Sequence, residues 1–173
     1  MLDRAIMSVM HNVEILQAEL NPFFLRRREI LLAYLFGSTA QGRTHKRSDI
    51  DIALLVDEQK FKRLDAQKPY GYKAFMIAEL MGLLCTNAID LVLLHEASPL
   101  LAHEVISKGK ILFCRDRDEG ILSDFEIQIK HRYLDTKKLR RIQAHYLHKR
   151  IQTGQYSKLG ESDGRTRNSG RKP

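Results

Sequence analysis

The chain has 173 residues, 43% hydrophobic and 29% charged, enough for one domain with a buried core and too apolar for a disordered chain. Its net charge of +8 is unevenly placed: residues 1–125 carry 16 Lys+Arg against 17 Asp+Glu, and residues 126–173 carry 13 against 4. No apolar run approaches the ~20 residues of a membrane helix. Cys85 and Cys114 form neither a CxxC pair nor a disulfide framework, so the expected setting is reduced and cytoplasmic.

Residues 2–20 place Ile6, Val9, Val13, Leu16 and Leu20 at steps of three and four, the stripe of an amphipathic helix; with its charges, this stretch is not a signal peptide. Asn21-Pro22 is expected to break that helix. After the basic triplet Arg26-Arg27-Arg28, the apolar run Ile30 to Phe36 reads as a strand buried on both faces and ended by Gly37. Gly37 to Ser48 is small and polar, and residues 49–56 read as a second strand. Residues 60–84 are expected to be helical, with a break at Pro69-Tyr70-Gly71. Ala88 to Leu94 is a third strand, 99–108 a helix, and Lys110 to Cys114 a fourth strand. One long basic helix is expected from Ile121 to Ile151. Its stripe of Tyr133, Leu139, Ile142 and Tyr146 reads as packing, and His145 and His148 as surface residues. Alternating strands and helices give an α/β or α+β domain.

The segment Gly37-Ser38-Thr39-Ala40-Gln41-Gly42-Arg43-Thr44-His45-Lys46-Arg47-Ser48-Asp49-Ile50-Asp51 carries the chemistry. On a strand, residues two apart share a face, so Asp49 and Asp51 lie together while Ile50 and Ile52 face the core. Two like charges side by side are unfavourable, and a divalent cation with oxygen ligands, Mg²⁺ or Mn²⁺, is the usual compensation. Gly37 permits a sharp turn, and Ser38 is expected to cap a short helix whose N–H groups could cradle phosphate. A P-loop is excluded despite Gly37-x4-Gly42-Arg43-Thr44, because the strand starting near Asp49 leaves no room for the helix a P-loop needs.

Gly-Ser, ten residues, then Asp-x-Asp resembles the signature of the DNA-polymerase-beta-like nucleotidyltransferase superfamily. It is most similar to the minimal (MNT-type) members, antitoxins of HEPN-domain toxins. The resemblance covers residues 30–95 well and implies an α/β (α+β) polymerase-beta-like nucleotidyltransferase fold, a small mixed sheet flanked by helices, with a third carboxylate on a later strand. Asp90 matches it, a lone acid in Ala88–Leu94; Asp57 lies roughly 20 Å along the strand from Asp51, too far to share an ion. Asp49, Asp51 and Asp90 would then be the catalytic and metal-holding residues, with two Mg²⁺ ions. Gly37, Ser38 and Arg43 would hold the nucleotide, ATP. The implied acceptor is a tyrosine of a HEPN-domain toxin. Related sequences often carry a basic residue where this chain has Gln41, leaving Arg43, Lys46 or Arg47 to balance triphosphate charge.

The expected domain spans 1–153, with terminal helices, followed by a disordered basic tail over 154–173. The basic C-terminal region is a solvated helix face or a contact for nucleic acid or an acidic protein. Two other functions fit the same residues: nucleotidyl transfer to a small molecule such as an aminoglycoside, and neutralisation of a partner by binding alone.

Overall fold

The computed structural model describes residues 13–43, 49–115 and 120–152. Its elements are α1 (Val13–Leu25), β1 (Ile30–Phe36), a single turn α2 (Gly37–Ala40), β2 (Ile50–Val56), α3 (Glu58–Gln67), α4 (Gly71–Leu84), β3 (Ile89–Leu93), α5 (Pro99–Lys108), β4 (Lys110–Cys114), α6 (Ile121–Asp135) and α7 (Lys137–Gln152). The four strands form one sheet in the order β3-β2-β1-β4. β1 runs antiparallel to both neighbours, whereas β2 and β3 are parallel. The parallel pair requires a crossover, which α3 and α4 supply.

The continuous apolar sequence of β1 is explained by cores on both sheet faces. On one face Leu35, Ile52, Leu54, Leu91 and Leu93 pack with Leu20 and Phe24 of α1 and Met76 and Leu80 of α4. On the other, Leu32, Tyr34 and Ala53 pack with Ala102 and Val105 of α5 and Phe125 and Ile129 of α6. Asp51 belongs to the second face by alternation, two residues before Ala53.

The break expected at Asn21-Pro22 is absent, since α1 continues through Pro22 to Leu25. A proline inside a helix costs about 3 kcal/mol. Continuing the helix buries both Phe23 and Phe24, each worth roughly 1.5–3 kcal/mol, so burial wins. The basic triplet that follows has a structural task as well. Arg26 Nε donates to the Pro22 carbonyl (3.2 Å) and Arg27 Nη1 to that of Phe23 (3.2 Å). From the end of β4, Arg115 Nε reaches the Ile30 carbonyl (2.7 Å), and its Nη2 reaches those of Phe24 (2.9 Å) and Arg27 (2.6 Å). The guanidinium groups of Arg26 and Arg27 thereby reach carbonyls of the last turn of α1, and that of Arg115 ties the helix end and the following turn to the start of β1.

The helical stretch expected over Ile121–Ile151 is present as two helices separated at Thr136. There the Thr136 carbonyl accepts the first bond of α7, from Arg140 N (3.0 Å), and Thr is a favoured residue at such a start. The described residues fall into two compact units divided between Tyr133 and Leu134. The stripe expected to pack does not do so as one surface. Tyr133 stacks on His103 at 3.8 Å, whereas Leu139, Ile142 and Tyr146 are exposed. His145 and His148 lie on the exposed α7. The tail over 154–173 and the start of the N-terminal stripe lie outside the described residues. No helix among those described is long and apolar enough to cross a membrane.

Candidate active site

β1 ends at Phe36, whose register partner on β2 is Asp51; the partner of Asp51 on β3 is Asp90. The three residues form one row across the sheet and share a face. Asp49 lies immediately before β2, exposed, and Asp90 is exposed too, whereas Asp51 is half-buried between them. Three carboxylates are thus collected at one sheet end, on two neighbouring chain segments.

Gly37 follows Phe36 with a φ of +70°, a left-handed conformation that side chains disfavour. A Cβ built there would lie 1.9 Å from Asp51 Oδ2 and 2.8 Å from its Cγ. The glycine therefore serves the turn and also gives the Asp51 carboxylate its space. Sequence reasoning supplies the first reason only, because the second depends on the β1–β2 register.

The turn α2 corrects one expectation. It begins at Gly37, so its capping position is Phe36, and no side chain caps it. Ser38 lies within the turn, half-buried, with its carbonyl accepting from Arg43 N (3.0 Å). Thr39, which the sequence did not single out, is 2% exposed and donates from Oγ1 to the Asp49 carbonyl (3.1 Å). That bond ties the Gly-Ser turn to the entry of the Asp-x-Asp strand. A threonine buried next to a Gly-Ser turn is the available signal, but only the folded register gives it a partner. Arg43 is exposed and donates from Nη2 to Gln41 Oε1. Lys46 and Arg47, the other basic candidates, lie outside the described residues.

The electrostatics follow the geometry. Asp51 has its pKa raised above the ordinary carboxylate value, first by burial, then by Asp90, then by Asp49. Asp90 turns Oδ1 to the Leu91 N–H at 2.8 Å. Asp57, dismissed on distance, caps α3 instead, accepting from Lys60 N at 2.9 Å.

No three His, Cys, Asp or Glu side chains among the described residues are gathered closely enough to form a finished metal shell. What fits a metal is the chemistry of the row. It offers carboxylate oxygens only, and burial, with Asp90 and Asp49 beside it, disfavours the charged form of Asp51, which suits a hard divalent cation. Asp49, Asp51 and Asp90 are the residues that could hold it.

A strand, a Gly-Ser turn and an acidic strand pair define a nucleotidyltransferase domain. The family model described as polymerase beta, nucleotidyltransferase matches residues 18–118, more than half of the chain. The chain belongs to that family. Among curated proteins it is similar to the protein adenylyltransferase MntA of Aphanizomenon flos-aquae, 38% identical over 88 residues, which is 49% of this chain and 57% of that protein. It is also similar to the protein adenylyltransferase MntA of Shewanella oneidensis, 33% identical over 95 residues, or 55% and 62% of the two chains. The chain therefore spans less than two thirds of the length of either relative. Among solved structures, a toxin–antitoxin crystal structure with AMP-PNP superposes with a TM-score of 0.56 at 26% identity, covering 76% of this chain and 98% of the other.

Proposed function

We propose that this protein is an antitoxin that transfers AMP from ATP to a tyrosine of a HEPN-domain toxin in the cytoplasm. The carrying observation is the row Phe36–Asp51–Asp90, with Asp49 beside it and Gly37 packed on the Asp51 carboxylate. The two MntA relatives named as protein adenylyltransferases support a protein acceptor, and the toxin–antitoxin structure with AMP-PNP supports an adenine-nucleotide donor and a toxin partner.

In this reading Asp49, Asp51 and Asp90 hold two divalent ions, with Mg²⁺ the natural choice. Bound there, the metal would neutralise charge on the triphosphate and lower the barrier to attack at the α-phosphorus. The chain's own groups do the rest. Ser38 and the following backbone hold the outgoing phosphates, and Arg43, steadied by Gln41, adds positive charge at the open side. The tyrosine oxygen bonds to the α-phosphorus, the bond to the β-phosphate oxygen breaks, and pyrophosphate leaves. Asp90, on the exposed side of the row, accepts the tyrosine proton.

The experiment is incubation of the chain with α-labelled ATP, Mg²⁺ and a co-encoded HEPN-domain protein. Label should enter the acceptor and pyrophosphate should be released, and EDTA should stop both. Undiminished transfer in EDTA, or no transfer under any metal, would sink the reading.

A further inference from the structure

The helix α7 carries six Lys+Arg and no Asp or Glu, and all of it lies beyond the residues 18–118 matched by the family model. None of its residues is buried, and five of them are large and apolar: Leu139, Ile142, Tyr146, Leu147 and Ile151, each 44–62% exposed. At 3.6 residues per turn, Leu139, Ile142 and Tyr146 form one column, and Leu147 and Ile151 lie beside it. The opposite side is polar and basic, with Lys137, Arg141, His145 and His148; Lys138 and Lys149 lie at its border with Ile142, and Arg140 and Arg150 fall on the apolar arc itself.

A 16-residue helix draws most of its stability from a packed apolar face, and clustered exposed apolar residues mark an interaction surface. Charge decides among occupants. A second copy of this helix would bring six more positive charges against the first, which disfavours self-pairing. Nucleic acid would satisfy the basic side and leave the apolar columns in water. A groove that is apolar at its floor and acidic at its rims satisfies both, with Lys138 and Lys149 beside the Ile142 column facing one rim.

We infer that α7 is a docking helix that seats its Leu139–Ile142–Tyr146 face in an apolar, acidic-rimmed groove of the acceptor protein. This rests on the proposed transfer reaction only for the identity of that acceptor. Docking on α7 uses none of the residues assigned to the chemistry, so it sets how much acceptor is needed and not the maximal rate.

The test uses the full chain with a purified co-encoded HEPN-domain toxin as the probe. Two variants are compared with wild type: Leu139→Gln with Ile142→Gln and Tyr146→Gln, and Lys138→Glu with Lys149→Glu. Both should keep the wild-type melting temperature and ATP binding. Both should weaken toxin binding tenfold or more and raise the KM for toxin while leaving kcat within about twofold. The charge-reversed pair should also flatten the salt dependence of binding. If the apolar variant fails to fold, the charge-reversed pair decides alone. Unchanged binding in the folded variants overturns the inference. It is overturned equally if toxin binding persists while α7 substitution abolishes binding to a fluorescent duplex DNA or RNA, or dissociates a dimer of the wild-type chain. If wild type binds toxin through α7 and transfers no AMP, the docking inference stands and the reaction assigned above fails.

Discussion

The Asp51 carboxylate occupies the space that a side chain at Gly37 would need, with 1.9 Å between Oδ2 and the position of a Cβ. Two residues of one motif, on adjoining antiparallel strand ends, are sterically exclusive. The Gly-Ser turn and the acidic strand are therefore a single fitted unit.

Gly37→Ala should be strongly inactivating, because the methyl group displaces the central carboxylate of the row. Left-handed strain of about 1–2 kcal/mol and the clash together should lower stability by roughly 2–4 kcal/mol. Adding Asp51→Ala should restore part of the stability and none of the activity. Denaturant unfolding of the single and double variants measures this; strictly additive losses would refute the contact.

Asp51→Asn should abolish transfer while leaving the metal-free protein as stable as wild type or more so at neutral pH. The sign follows from the raised pKa of Asp51. Between the unfolded carboxyl value and the higher folded one, the native state binds more protons than the unfolded chain, so wild-type stability falls as pH rises through that window. Melting in EDTA from about pH 4 to pH 8 should show the variant gaining on wild type as pH increases. Adding Mg²⁺ and ATP should reverse the order, because only wild type gains from binding. A variant destabilised at every pH would make Asp51 a structural residue.

Thr39→Val removes the donor to the Asp49 carbonyl with little change of shape. We expect a loss of about 1–2 kcal/mol and a larger proportional loss of kcat than of toxin affinity, with Thr39→Ser recovering most of both. Equal activity of the valine and serine variants would show that the bond does not position Asp49.

Arg115→Ala should cost roughly 2–4 kcal/mol, since three main-chain carbonyls lose a charged donor at once. Arg115→Lys should recover little, because one ammonium cannot span three acceptors as a planar guanidinium does. Calorimetric melting distinguishes the cases, and full rescue by lysine would contradict the fork geometry.

β1 and β4 were legible in the sequence as apolar runs bounded by glycine or charge, as with Ile30–Phe36 before Gly37, and β2 and β3 as apolar runs carrying one acid each. The α3–α4 break was legible from Pro69-Tyr70-Gly71. Pro22 misled, because the price of a proline is local while the burial of Phe23 and Phe24 that outweighs it is tertiary. Thr136 gave too weak a signal to divide a basic helical run, since threonine is tolerated inside helices. Asp49, Asp51 and Asp90 stood out as acids in apolar strands, and the observed register brings Asp51 and Asp90 side by side. Ser38 looked like a cap because serine favours that role, yet the turn begins one residue earlier, where the left-handed Gly37 starts it. The roles of Thr39 and Arg115 were illegible, since their partners lie 10 residues away and up to 91 residues away in sequence.

The Arg115 fork bears on the order of assembly during synthesis. Residues of β1 meet their β4 partners, as Leu32 meets Cys114, only across most of the domain. Until that late segment leaves the ribosome, one edge of β1 stays open and the carbonyls of Phe24, Arg27 and Ile30 lack their charged donor. The acidic row, by contrast, needs nothing beyond β3. A chain emerged only as far as residue 95 would thus carry every carboxylate of the site while still exposing an apolar sheet edge. The last strand thus moves the sheet edge away from the apolar β1 and adds nothing to the row of carboxylates.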